Sequence, residues 1–305
     1  MVKNPEHFVG RIRESSDILA KIQSNNSVSV VGERRIGKSS LLYYLSHACK
    51  MQFGDRRVAY LDFMDTELKT LEGFVYLLLE SLRIEFDEAE LTKNPNLILT
   101  RKLRQLNVSE PQPPIVFLDE FDNIQKLKDF FNDDFLENLR FLCNSGYVCL
   151  VTASKMPLKD MMDKGGLTSP FWNVFTHTSL HEFVVETDLD ERGLFLAQYW
   201  SDSLTPTDAE MRFLLSYTSA HPLVMQIVSF HVCNNRYQTV KRSEDQLREV
   251  IEQQTHSHFR DSKETIRKWL YSGSVNLPKK IEWTSEFIGK VLKNLNPLKD
   301  LKIIG

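Results

Sequence analysis

One stretch limits what this chain can fold into more than any other: Val28–Leu45, VSVVGERRIGKSSLLYYL. A β-branched apolar run (Val28, Val30, Val31) leads into Gly32, Glu33, Arg34, Arg35, Ile36, Gly37, Lys38 and Ser39. Those eight residues fit G-x-x-x-x-G-K-[ST] without departure, and a helical segment from Ser40 to about Lys50 follows. Strand, glycine loop and helix in that order form the context in which the motif marks a nucleoside triphosphate site. The glycines let successive backbone N–H groups turn toward phosphate. The following helix offers its positive N-terminal end to the same anion. Lys38 then reaches the β- and γ-phosphates, and Ser39 holds Mg²⁺. The plainer alternative, a glycine-containing turn with a stray lysine, leaves the flanking strand and helix unexplained.

A phosphate loop binds; hydrolysis also needs an acid for Mg²⁺ and a group to orient water. Pro111-Gln112-Pro113-Pro114 launches the continuous apolar run Ile115–Leu118, short enough for a strand buried on both faces. It ends in Asp119-Glu120-Phe121-Asp122. Asp119 is placed to hold Mg²⁺ and Glu120 to position the attacking water, in the crevice at the carboxyl ends of a parallel sheet. The plainer reading is an acidic strand-to-helix turn with Asp122 as N-cap. The next buried run, Tyr147–Thr152, ends in Ala153-Ser154. A hydroxyl of Thr152 or Ser154 there either meets the γ-phosphate or its water, or is satisfied at a strand end. Arg34 and Arg35, inside the loop, read more simply as solvated charge than as phosphate ligands.

The remaining chain supplies the layers. Ile12–Ser24 carries a helical apolar stripe, Arg57–Met64 reads as a strand and Leu68–Arg83 as a helix. Glu85–Thr100 is acidic and reads as partly loop, with a helix over Ile98–Leu106. Leu127–Cys143 is helical in character, Lys155–Asn173 is polar and contains Gly165-Gly166, and Thr176–Leu180 closes the set as a last strand. Beyond Glu182 strand-like runs stop. Amphipathic helices follow, two of them opened by the capping boxes Thr207–Glu210 and Ser243–Gln246. Strands alternating with helices, then helices alone, imply an α/β domain with a parallel sheet over residues 1–183 and an all-α domain over 184–265. Residues 266–305 read as a helical segment, either the start of a further domain such as a winged helix or a short terminus.

Net charge is −3 over 305 residues, which gives no global electrostatic footprint for nucleic acid. The tail is locally basic, with Lys279, Lys280, Lys290, Lys293, Lys299 and Lys302. Cys49, Cys143, Cys149 and Cys233 show no metal spacing and read as reduced core residues of a cytoplasmic protein. No apolar run is long enough to span a membrane. His256 and His258 lack further ligands nearby. No nucleophile elbow surrounds Ser154. Phe121, Phe130, Phe131 and Phe135 read as core rather than as a stacking platform. No guanine-recognition motif occurs, although Thr92-Lys93-Asn94 comes partway.

Several of these segments together resemble STAND-type ATPases of the AAA+ lineage, relatives of the NACHT and NB-ARC modules. The residues are Phe8-Val9-Gly10-Arg11, GERRIGKSSLL, IVFLDEFD, LVTAS, Ser169-Pro170-Phe171 and Ala220-His221-Pro222-Leu223, spread over about residues 8–235. The resemblance implies a P-loop NTPase sheet flanked by helices and followed by a helical lid. It implies that the Val9 backbone and Arg11 contact adenine or ribose, and that Gly32 through Ser40 cradle the phosphates of ATP or ADP. It also implies Ser154 as sensor, and His221, beside Pro222, as reader of the β-phosphate that couples nucleotide to lid. The arginine that often follows the Ser-Pro pair in that family is missing here, with Arg140 the nearest substitute, which implies slow turnover. The expectation is an Mg²⁺-dependent ATPase acting as a nucleotide-controlled switch through self-association or a protein effector. The alternative is a DNA-associated ATPase of the loader or origin-recognition type.

Overall fold

The structure, a computed structural model, describes residues 10–181 together with Pro5, Phe8 and Pro222. The chain divides into two compact units, one of Met1–Glu33 with Gly37–Leu180 and one of Arg34–Ile36 with His181–Gly305. The elements below lie in the first. The expected helical domain over 184–265, the 266–305 segment, Val9 and His221 lie outside the described residues.

Five strands form one parallel sheet: β1 Ser27–Gly32, β2 Val58–Asp62, β3 Ile115–Asp119, β4 Cys149–Ser154 and β5 Phe175–Leu180, in the order β2-β3-β4-β1-β5. β3 and β4 are buried at every position. That is why their sequences show no alternation: helices cover both faces. β5, at an edge, alternates instead, with Phe175, Thr178 and Leu180 buried and the residues between them exposed. The register pairs Val31 with Ser154, Leu118 with Thr152, and Asp62 with Asp119, so the chemistry-bearing ends lie along one edge.

The helices are α1 Ile12–Gln23, α2 Lys38–Gln52, α3 Leu71–Ser81, α4 Glu88–Leu91, α5 Pro95–Ser109, α6 Asp133–Asn144 and α7 Leu158–Gly165. Four expectations change here. The helix read over Leu68–Arg83 is broken at Thr70, whose hydroxyl accepts the Gly73 N–H at 3.1 Å and restarts the chain as α3 after a short 3₁₀ turn. The acidic stretch read as partly loop holds α4 and the start of α5, so the helix expected over Ile98–Leu106 is present but longer, Pro95–Ser109. Asp87 caps α4, and Asn94 caps α5 with Pro95 in its first turn. The helix read from Leu127 begins only at Asp133, capped by Asn132, after a 3₁₀ segment Phe121–Lys126. The polar stretch after Ser154 contains α7, which ends at Gly166 in a left-handed conformation, φ 67°.

The core lies on both sides of the sheet. An aromatic cluster fills one part: Phe63, Phe74, Phe121, Phe131 and Phe135 meet mostly edge to face, with centroids 5.0–5.9 Å apart. Phe121, Phe131 and Phe135 are therefore core, as expected, while Phe130 is half exposed. Cys49, Cys143 and Cys149 are free thiols, and burial pushes all three above the ordinary thiol range, Cys49 and Cys143 to about 12 and Cys149 to about 11. No helix of the described residues is long and apolar enough to cross a membrane.

Candidate functional site

The loop between β1 and α2 is shaped by backbone conformation. Gly37, the N-cap of α2, adopts φ 104°, a region that glycine enters without penalty. Arg35 is left-handed at φ 63°, and Glu33, Arg34 and Arg35 are exposed, as the solvated-charge reading expects. Unlike α3, α4, α5 and α6, α2 has no side-chain cap at its N-terminus. Ser39 and Ser40 stand in its first turn, half-buried.

Lys38 folds back over its own loop. Its Nζ donates to the carbonyl oxygens of Gly32 and Glu33, both at 2.8 Å, and the residue is buried. Burial lowers its pKa. The carboxylates of Glu120, Asp122 and Asp119 oppose that shift, and the Lys155 cation adds to it. The same acids and cations govern Glu120. Its pKa is raised first by burial and then by Asp122 and Asp119, against Lys38 and Lys155. The phosphate loop and the acidic strand end thus form one electrostatic cluster.

Asp119 is 1% exposed at the end of β3. Its Oδ1 accepts the Glu120 N–H at 2.9 Å, and its Oδ2 accepts the Tyr60 hydroxyl at 2.7 Å. Glu120 is left-handed, φ 48°, a conformation that is uncommon outside glycine and Asn and that recurs at functional turns. Asp62 stands across from Asp119 in the register, and its Oδ1 accepts the Met64 N–H at 2.9 Å. Burial raises the Asp62 pKa, the Met64 N–H opposes this, and the nearby Asp119 and Asp65 charges add to it.

Beside this pair, Asp122 binds Lys155 twice, accepting its backbone N–H at 3.2 Å and its ammonium at 2.9 Å. The N-cap reading of Asp122 gives way to this tie between the 3₁₀ turn and the end of β4. Ser154 is fully buried and donates its hydroxyl to the Met156 carbonyl at 2.7 Å, leaving lone pairs but no second proton for a ligand. The Thr152 hydroxyl is buried and has no hydrogen-bond partner among the described residues. Arg140 pairs on its own helix with Glu137 at 3.2 Å, and Glu137 also accepts the Ser169 hydroxyl at 2.7 Å.

Near the N-terminus, Arg11 is buried, left-handed at φ 61°, and paired with Glu14 at 2.9 Å. Phe8 stacks on Tyr44 of α2 with centroids 4.5 Å apart, which anchors the segment to the helix that follows the loop. Pro222 is helical and buried.

Tyr60, Asp62 and Lys155 were not singled out by the sequence. The alternation in AYLD placed Tyr60 and Asp62 on one face, but only the pairing of β2 with β3 turns that face toward Asp119. Among the described residues no three His, Cys, Asp or Glu side chains are grouped to hold a metal ion. The donors present, the Asp119 and Asp62 carboxylates and the Ser39 hydroxyl, are hard oxygens. They suit Mg²⁺, which takes one or two carboxylates and completes its shell with water and substrate phosphates.

No family model matches the sequence, and no curated protein matches it. Solved structures match it in fold at low identity. A Walker-type ATPase of Pyrococcus abyssi is 14% identical, with 97% of this chain and 91% of that one covered and a TM-score of 0.61. The Aeropyrum pernix ORC2 protein, solved as ADPNP–ADP complexes, is 13% identical over 98% and 90% of the two chains, TM-score 0.54. The Aeropyrum pernix ORC1 protein, solved in complex with DNA, is 12% identical over 96% and 85%, TM-score 0.53. With its parallel sheet, its glycine loop after β1 and its acidic end on β3, the chain has the P-loop NTPase fold that these ATPase structures share.

Proposed function

We propose that the chain binds ATP with Mg²⁺ and hydrolyses it, as an ATPase of the loader or origin-recognition type that acts on DNA. One observation carries the chemical part: the sheet brings the loop after β1, with Lys38 bonded back onto its Gly32 and Glu33 carbonyls, and the Asp119-Glu120 end of β3 to the same edge with only β4 between them, although they are far apart in the sequence. Backbone N–H groups of Gly32 through Ser40 cradle the phosphates, and the Lys38 ammonium leaves the Gly32 and Glu33 carbonyls to meet them. Ser39 and Asp119 hold Mg²⁺, which neutralises phosphate charge when bound. Glu120, half-buried and beside two other acids, orients water and takes its proton. Lys155 supplies a second cation, and Ser154 offers hydroxyl lone pairs to the water. Arg11 adds a nucleotide contact from the N-terminal segment.

Two supports favour the DNA reading over other outputs: the likeness in fold to ORC2 and to ORC1 solved with DNA, and the basic tail. Glu120→Gln tests the chemistry. Nucleotide binding is retained while turnover falls about 10²–10⁴-fold, the usual worth of a general base. Unchanged turnover would reject the assignment. Duplex binding titrated against salt tests the output. A linear fall of log affinity with log salt is expected, and no binding at low salt removes the DNA reading.

A second reading, a nucleotide-controlled signalling switch that self-associates, draws on one feature: no arginine follows Ser169-Pro170 up to Phe175. Slow turnover suits a switch. Equal oligomer populations in ADP and ATP would sink it.

A further inference from the structure

Each carboxylate oxygen of buried Asp119 accepts one hydrogen bond, Oδ1 from the Glu120 N–H and Oδ2 from the Tyr60 hydroxyl. A carboxylate oxygen has two lone pairs, so each keeps one for a further ligand. Donors at both oxygens fix the plane of the group and its rotation. The Glu120 donor belongs to the backbone and would be there with almost any residue at that position. The Tyr60 donor exists only because a tyrosine stands there.

Its reach follows from register. Tyr60 pairs with Phe117, and Phe117 and Asp119 share a face of β3. Tyr60 is therefore a diagonal neighbour of Asp119, one strand over and two residues along, about 8 Å between Cα atoms, a span an aromatic side chain covers. The ring is held in turn from α2. Tyr43 meets it edge-on with centroids 5.8 Å apart, and His47 packs on Tyr43 at 4.4 Å. The helix that begins at Lys38 thus supports the side chain that aims Asp119.

We infer that Tyr60 is a positioning residue for Mg²⁺–nucleotide binding, holding the Asp119 carboxylate in the orientation that receives the cation. The inference rests on the nucleotide site proposed above. Tyr60 touches neither nucleotide nor cation in this role; it acts through Asp119.

The test compares the 305-residue chain with its Tyr60→Phe variant. A fluorescent ATP analogue is titrated without Mg²⁺ and then across Mg²⁺ concentrations, with thermal unfolding measured alongside. In Tyr60→Phe, Mg²⁺-free binding stays unchanged while the Mg²⁺ midpoint rises about 10–100-fold, the usual effect of losing a partner of a metal ligand. In an Asp119→Asn background, Tyr60→Phe changes the midpoint no further. Equal midpoints in parent and Tyr60→Phe, with the parent binding Mg²⁺–nucleotide, would overturn this inference alone. So would an equal loss of Mg²⁺-free binding, which would mark a structural role. A parent that binds no nucleotide at all would overturn the site and the inference together.

Discussion

Asp122 holds Lys155 at two points, the ammonium at 2.9 Å and the backbone N–H at 3.2 Å, and so fastens the turn after β3 to the end of β4. The carboxylate is 10% exposed and the lysine 21%, which shelters the pair from most screening. Asp122→Ala leaves a half-buried ammonium unpaired beside Lys38 and lowers stability by about 1–3 kcal/mol, the penalty of stranding a buried donor. Asp122→Asn keeps the N–H acceptor and loses less. Urea unfolding of the two variants checks the order.

Lys38 separates binding from stability. Its burial opposes its charge, so a methionine of similar length removes a desolvated cation without opening a cavity. The lost hydrogen bonds to the Gly32 and Glu33 carbonyls offset that gain, so Lys38→Met is expected to unfold close to the parent's temperature, while nucleotide affinity falls by at least about tenfold, 1.4 kcal/mol. Melting curves with and without nucleotide read both at once. A variant that loses stability and binding in parallel would contradict the arrangement.

Glu120 gives a pH signature. Its folded pKa lies above the ordinary 4.5, so the folded chain binds more protons than the unfolded one between those two values. Stability from this group is complete below about pH 4.3 and is lost as pH rises through the folded pKa. Glu120→Gln removes that slope and leaves the variant relatively more stable at neutral pH than at acid pH. Denaturation midpoints of both chains across that range provide the check.

Two glycines predict opposite mechanisms for the same substitution. At Gly37 an added Cβ meets nothing within 4 Å, so Gly37→Ala suffers only from its φ of 104°, at about 1–3 kcal/mol. At Gly73, in the first turn of α3, the Cβ runs into the Glu67 carbonyl oxygen. Helix propensity alone favours alanine there by about 0.8–1 kcal/mol, yet Gly73→Ala should destabilise because backbone must move. Thermal unfolding decides the sign at Gly73. Nucleotide binding distinguishes Gly37, where it should weaken, from Gly73, where it should not.

The inner strands β3 and β4 were legible because burial on both faces writes itself as near-continuous apolar runs, as in Ile115–Leu118, while the edge strand β5 showed only a partial alternation. The loop was legible because Gly37 and Lys38 fall at fixed spacing. The helix at Glu88 was not, nor the first turn of the helix expected over Ile98–Leu106, because polar residues cover both and only the caps Asp87 and Asn94 mark where they begin. Tyr60 and Lys155 escaped for a different reason. Their roles depend on which strand lies beside which, and no local pattern states that β2 pairs with β3 or that the end of β4 meets Asp122.

That sheet order has one more consequence. β4 lies between β1, which leads into the loop, and β3, which ends in Asp119. Two inter-strand steps separate the loop from the acid, about 10 Å. Backbone hydrogen bonding sets this width, so no side-chain replacement in the strands can narrow it. The sheet acts as a spacer gauge between the loop that carries Lys38 and the strand end that carries Asp119.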